Sequence, residues 1–226
     1  MKPKVCVAVP ARSQLEATEL LKKAEAAGAD LAEVRFDYAI EALQPRLLAK
    51  ATGLPLMATN RPSREGGLFA GGEHERFDIL LRAAEAGFSY VDLELSTPCL
   101  HTFVDTFKAL GVKSVISHHD FASTPPLTEL LDIVRRMEAE GASVCKLITT
   151  AASTADNLAC LELVSKVAER TSVVCFAMGE RGLVSRALSP LFGAVWTYAS
   201  VEEGLETASG QITIMKLRQL YALLGA

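Results

Sequence analysis

Residues 127–148 read LTELLDIVRRMEAEGASVCKLI: a helix-like stretch from Leu127 to Ala139, then Gly141, then a β-like run from Ala142 to Ile148. Glycine adopts the left-handed conformation that closes a helix at no steric cost, so the segment reads as helix, cap and strand. The same succession recurs on both sides of it. Ser13 to Ala27, with Leu15, Leu20, Leu21 and Ala24 roughly at helical spacing, runs into Gly28; His74 to Ala86 runs into Gly87; Thr97 to Leu110 runs into Gly111. Thr154 to Arg170 adds another helix. Strand-like runs lie near residues 4–9, 30–37, 55–60, 89–95, 112–118, 142–148, 172–178 and 193–198. Eight βα units in 226 residues point to a (β/α)8 TIM barrel. A doubly wound open sheet would normally use fewer strands for this length, and no Gly-x-Gly-x-x-Gly or Walker loop supports a nucleotide fold. With no linker or low-complexity segment, residues 1–226 are expected to form one α/β barrel domain.

Composition narrows the function. Half of the residues are hydrophobic, enough for a large core, yet no apolar run approaches the roughly 20 residues of a membrane span. Met1-Lys2-Pro3-Lys4-Val5 leads directly into a strand, which leaves no room for a signal peptide. The five cysteines are scattered, without a Cys-x-x-Cys pair, so neither a disulfide framework nor a zinc site is expected and a cytoplasmic location is. A net charge of −4 without a basic block argues against nucleic acid, whereas an anionic small molecule needs only a locally positive cleft.

In a barrel of this kind, chemistry gathers at the C-terminal ends of the strands. Lys146 stands inside an apolar strand, where a lysine is out of place unless it points into a site. Ser114 to Phe121 is a second apolar run, ending in His118, His119 and Asp120. A lysine and a histidine are what imine chemistry on a carbonyl requires: a nucleophilic amine, and a group that moves protons near neutral pH. Neighbouring residues on a strand face opposite ways, so one histidine at most faces the axis, and it is assigned to His119. The same alternation puts Glu33, Arg35 and Asp37 on one face, where they must pair with each other or with a ligand. Asp92 and Glu94 repeat the pattern and read as electrostatic support. Arg61 and Glu65 lie in a loop marked by Pro62, Gly66 and Gly67. The turn through Gly179 and Gly182 offers backbone N–H groups to an anion, and Arg186 offers a forked charge to a carboxylate. Glu206 to Ile212 is a small, flexible segment able to close over a ligand.

Taken in order, Glu33-Val34-Arg35-x-Asp37, Arg61-x-x-x-Glu65-Gly66-Gly67, Ser117-His118-His119-Asp120-Phe121, Lys146, Met178-Gly179 with Ser185-Arg186, and Gly210-Gln211 resemble type I 3-dehydroquinate dehydratase. The resemblance implies a (β/α)8 barrel, usually a homodimer, that dehydrates 3-dehydroquinate to 3-dehydroshikimate in the shikimate pathway without metal or cofactor. It implies that Lys146 forms the Schiff base, that His119 is the general acid and base, and that Glu65 orients it. Arg186 would hold the substrate carboxylate. Glu33, Arg35, Arg61, Thr207 and Gln211 would meet the hydroxyls and the carboxylate surroundings, with His118 in support.

Three departures accompany the resemblance. Ala8 stands where relatives often carry serine, Ser209 replaces a proline in the lid, and the N-terminal hairpin of longer relatives is not expected. Two other readings compete. A Schiff-base class I aldolase would also use a strand-end lysine but would more often bind phosphate at the late loops. A non-catalytic binding barrel would have no reason to keep Lys146, His119 and Glu65 together.

Overall fold

The structure, a computed structural model, describes residues 2–226. Strands β1 (Val5–Val9), β2 (Leu31–Arg35), β3 (Leu56–Thr59), β4 (Tyr90–Glu94), β5 (Lys113–His119), β6 (Val144–Thr150), β7 (Val173–Met178) and β8 (Thr197–Ser200) alternate with helices. These are α1 (Gln14–Ala26), α2 (Pro45–Ala51), α3 (Glu73–Glu85), α4 (Leu100–Ala109), α5 (Leu127–Ala139), α6 (Asp156–Val167), α7 (Leu183–Leu188) and α8 (Ile214–Leu223). Among the described residues every strand pair is parallel, and β1 joins both β2 and β8, so the sheet wraps into the expected (β/α)8 barrel. Between β7 and β8 no ladder forms. There Val195 N–H, just ahead of β8, donates to the Val173 carbonyl at 2.9 Å.

Alternation along each strand divides the core in two. Outward residues such as Val5, Val7, Val34, Leu93, Ile116 and Leu147 pack under the helices. Inward residues Cys6, Leu31, Met57, Val115, Val144, Val174 and Trp196 fill the lower barrel. One step up, the inward positions turn polar at Glu33, Thr59, Asp92, Ser117 and Lys146, all buried. A packed apolar floor thus carries a charged layer, and the buried charges gather at one end.

Several element bounds differ from the sequence reading. The eighth strand occupies Thr197–Ser200, because Ser189–Phe192 form a 3₁₀ turn that Gly193 closes at φ 112°. The second strand stops at Arg35, where Phe36–Tyr38 turn into a 3₁₀ helix, so Asp37 leaves the strand instead of continuing its inward face. No described helix is long and apolar enough to cross a membrane.

Candidate active site

The charged layer is built from side chains on β2 to β6, with Arg61 and Arg76 added from outside the strands, each fixed by its neighbours. Lys146 Nζ donates to Asp92 Oδ2 at 2.8 Å and to Glu33 Oε1 at 3.2 Å. Thr59 Oγ1 donates to the same Glu33 oxygen at 2.8 Å. Arg61, directly beyond β3, sends Nη2 to Asp92 Oδ1 at 2.7 Å and Nη1 to Glu94 Oε1 at 2.5 Å. Ser117 accepts from Arg61 at 2.7 Å and donates to Asp92 at 2.6 Å. Arg76 reaches in from α3, with Nη1 2.6 Å from Glu94 Oε2. Charges this deep are costly unless each finds a partner, and here they do. Burial works against the Asp92 carboxylate, but Arg61 and Lys146 outweigh it and hold its pKa well below the usual range.

Above this layer opens a cavity walled by Glu33, Arg35, Arg61, Glu65, His119, Lys146, Arg186, Thr207 and Gln211. All nine predicted site residues therefore meet in one place. Their partners differ in informative ways. His119 faces the cavity and His118 does not. The His119 ring stacks on Phe121 at 5.9 Å, and its Nδ1 is buried without a hydrogen-bond partner. Desolvation, with Arg61 and Lys146 adding to it, pushes its pKa well below the ordinary histidine value, so the ring is neutral at pH 7. Glu65 accepts a hydrogen bond from Ser96 in this state, not from His119. Arg35 is forked onto Asp37 at 2.9 and 2.7 Å, which makes Asp37 an ion-pair partner. Gly66 takes φ 76°, the left-handed region that strains residues with a side chain, and a Cβ there would also lie 2.5 Å from the Phe121 ring.

Among the described residues that wall the cavity, Arg186 is the cation without a carboxylate partner. Its guanidinium is buried, its Nε has no partner, and its Nη2 donates to the Ser209 carbonyl at 3.1 Å. Phe176 lies under it, 4.3 Å from guanidinium carbon to ring centre. Burial alone lowers its pKa to about 9. A desolvated cation lining a cavity, with an unused donor, is a site for an anion. The backbone of the Gly179 turn does not share that task. Gly179 N–H donates to Ser209 O and Gly182 N–H to Gly179 O, so the expected anion-binding amides are already engaged.

The chain matches the type I 3-dehydroquinase family over residues 5–226. It belongs to that family. The 3-dehydroquinate dehydratase of Dehalococcoides mccartyi is 39% identical over 219 residues, covering 97% of this chain and 95% of its own. That of Desulfotalea psychrophila is 38% identical over 223 residues, covering 97% of both. The solved 3-dehydroquinate dehydratase of Aquifex aeolicus superposes with a TM-score of 0.81 at 27% identity, covering 97% of this chain and 98% of that one. The protein is thus a type I 3-dehydroquinate dehydratase, a hydro-lyase acting on a small molecule.

Within the dehydratase, two of the departures acquire a structural setting. Ala8 pairs in register with Ser200, whose buried hydroxyl has no partner. At Ser209 the contacts to Gly179 and Arg186 both run through the carbonyl, which any residue supplies. The segment after β8 is folded down: Gln211 Oε1 accepts from Thr207 N at 2.7 Å, and a Cβ on Gly210 would come within 2.2 Å of the Gly179 carbonyl.

The sequence reading missed Arg76 and Tyr198. Arg76 had a signal, since it lies four residues before Leu80 on the buried face of α3. Tyr198, inward on β8 and part of the cavity wall, reads in sequence as one more core aromatic.

Arg186→Ala should weaken substrate binding by roughly 2–5 kcal/mol, the loss of one partner of a desolvated charge pair, or about 30-fold or more in Kd. Gln211→Ala should be milder, and bound ligand should slow proteolysis near Ser209-Gly210. Calorimetric titration and a timed digest check these; an unchanged Kd in Arg186→Ala would place the carboxylate elsewhere.

Proposed function

We propose that this dehydratase works through an imine on Lys146, with His119 as the proton carrier. The observation that carries the reading is the register of β5 on β6: Ser117 pairs with Lys146 and His119 with Ile148. The histidine therefore stands two residues above the amine on the adjacent strand, and both face the cavity. The Lys146 ammonium and the substrate ketone condense to a cationic imine and water, with no net proton gained or lost. The imine withdraws electrons from the neighbouring carbon. Neutral His119 takes that carbon's proton, leaving an enamine, and returns it to the β-hydroxyl as the C–O bond breaks and water departs. Hydrolysis of the conjugated imine frees 3-dehydroshikimate and Lys146.

The remaining residues position the substrate. Arg186 holds its carboxylate, with Thr207 and Gln211 closing above; Glu33, Arg35 and Arg61 face its hydroxyls. Glu65 exchanges Ser96 for His119 and orients the ring. The reading carries with it a homodimer in the cytoplasm, serving aromatic amino acid biosynthesis.

The imine route makes a demand that direct elimination does not. Condensation expels the ketone oxygen and hydrolysis replaces it, so turnover in heavy-oxygen water should put one solvent oxygen on the product ketone. Mass spectrometry of product isolated early reads this, after correction for exchange of substrate and product without enzyme. Retention of the original oxygen would overturn the proposal.

A further inference from the structure

We infer that the ring face of Tyr198 is a catalytic surface that keeps the Lys146 imine cationic, an inference that rests on the imine proposed above. Tyr198 is buried on the inner face of β8, and its ring centre lies 4.5 Å from Lys146 Nζ. The ring cannot easily move away. Its hydroxyl lies 3.7 Å from Met57 Sδ on β3, and Phe176 packs at a tilt, with centroids 6.3 Å apart.

The need for such a face comes from counting N–H groups. The free ammonium has three, and spends two of them on Asp92 and Glu33. The cationic imine keeps the charge with a single N–H, so at most one of those two bonds survives condensation. A hydrogen-bond acceptor then loses its grip at the moment when the positive charge matters most, because a neutral imine is a poor electron sink. The negative face of an aromatic ring attracts a cation without using an N–H. Tyr198 therefore continues to favour the charged form after the carboxylates have partly let go. The attraction fades once proton removal gives the neutral enamine.

The test keeps the ring and drains its face. With Tyr198→Phe as reference, mono-, di- and trifluorinated phenylalanine are placed at position 198, which changes shape little and ring charge steadily. Single-turnover dehydration should slow stepwise, by about tenfold across the series. The alkaline limb of that rate should move to lower pH in the same order. The share of enzyme trapped by borohydride after equilibration with product should fall in parallel. A role in packing alone predicts none of these trends. Rates and limbs that stay flat across the series, while wild-type enzyme is still trapped at Lys146, would overturn this inference and leave the imine standing. Absence of any adduct on wild-type Lys146 would overturn both.

Discussion

Borohydride added during turnover is expected to leave a substrate-derived mass on the peptide that contains Lys146. Lys146→Ala should give no adduct and lose activity by a factor on the order of 10⁴ or more, as when the nucleophile of a covalent mechanism is removed. The specificity of the label follows from position. Lys146 is buried in the cavity between Asp92 and Glu33. Lys166 and Lys216 are exposed and paired with Glu162 and Glu203 at 3.6 and 2.6 Å, and Lys113 begins β5 at the opposite end of the barrel. Labelling at any of these three would sink the assignment. The loss in Lys146→Ala is not expected to reflect unfolding, because Asp92 keeps Arg61 and Ser117, and Glu33 keeps Thr59. Circular dichroism of the variant checks that point.

His119→Ala should lower turnover by about 10²- to 10⁴-fold, the usual contribution of a positioned acid and base, while still permitting some trapping at Lys146. His118→Ala should cost much less, since that ring faces away from the cavity. Equal losses would refute the division of roles, and Glu65→Gln should fall between the two. The pH dependence has a definite sign. His119 acts in its neutral form, and desolvation with Arg61 and Lys146 sets its pKa well below 6.5. The acid limb of kcat/KM should therefore lie below the ordinary histidine range. Stability responds in the same window. The unfolded chain binds a proton there that the folded one refuses, so stability declines as pH falls from about 6.5 toward the folded value. Wild-type enzyme should lose this increment on acidification and His119→Ala should not; thermal melts at several pH values show which holds.

How much of this could be read from the chain depended on whether a residue's role was local. Lys146, Glu33, Asp92 and His119 were legible because a period of two puts them on the same face as the barrel core, where a titratable group must pair with another or meet a ligand. Gly28, Gly87, Gly111 and Gly141 marked the unit boundaries, and all four adopt positive φ. Asp37 misled, since a 3₁₀ turn ends the alternation two residues early, and nothing in Phe36-Asp37-Tyr38 announces that turn. The short helices α2 and α7, of 7 and 6 residues, span too few turns to display a period. Ser96 as the partner of Glu65, and Arg76 as that of Glu94, are long-range choices made by packing. The amides at Gly179 and Gly182 were legible as anion donors, but only the folded chain shows them already occupied.

The missing ladder between β7 and β8 gives the barrel the mechanics of a split ring. Seven of its seams are zipped by strand pairing, so any spreading of the wall should concentrate at the eighth. Arg186 hangs across that gap: it stands on α7 between the two strands, its carbonyl takes the Thr197 hydroxyl at 2.6 Å, and its guanidinium reaches the segment beyond β8. A substrate that seats its carboxylate there would act as a clasp, drawing the two lips together. The stiffness gained on binding should then be lopsided, felt mostly at β7, β8 and the chain between them, while the β3–β5 side, already knit by Arg61 and Asp92, would barely register the event.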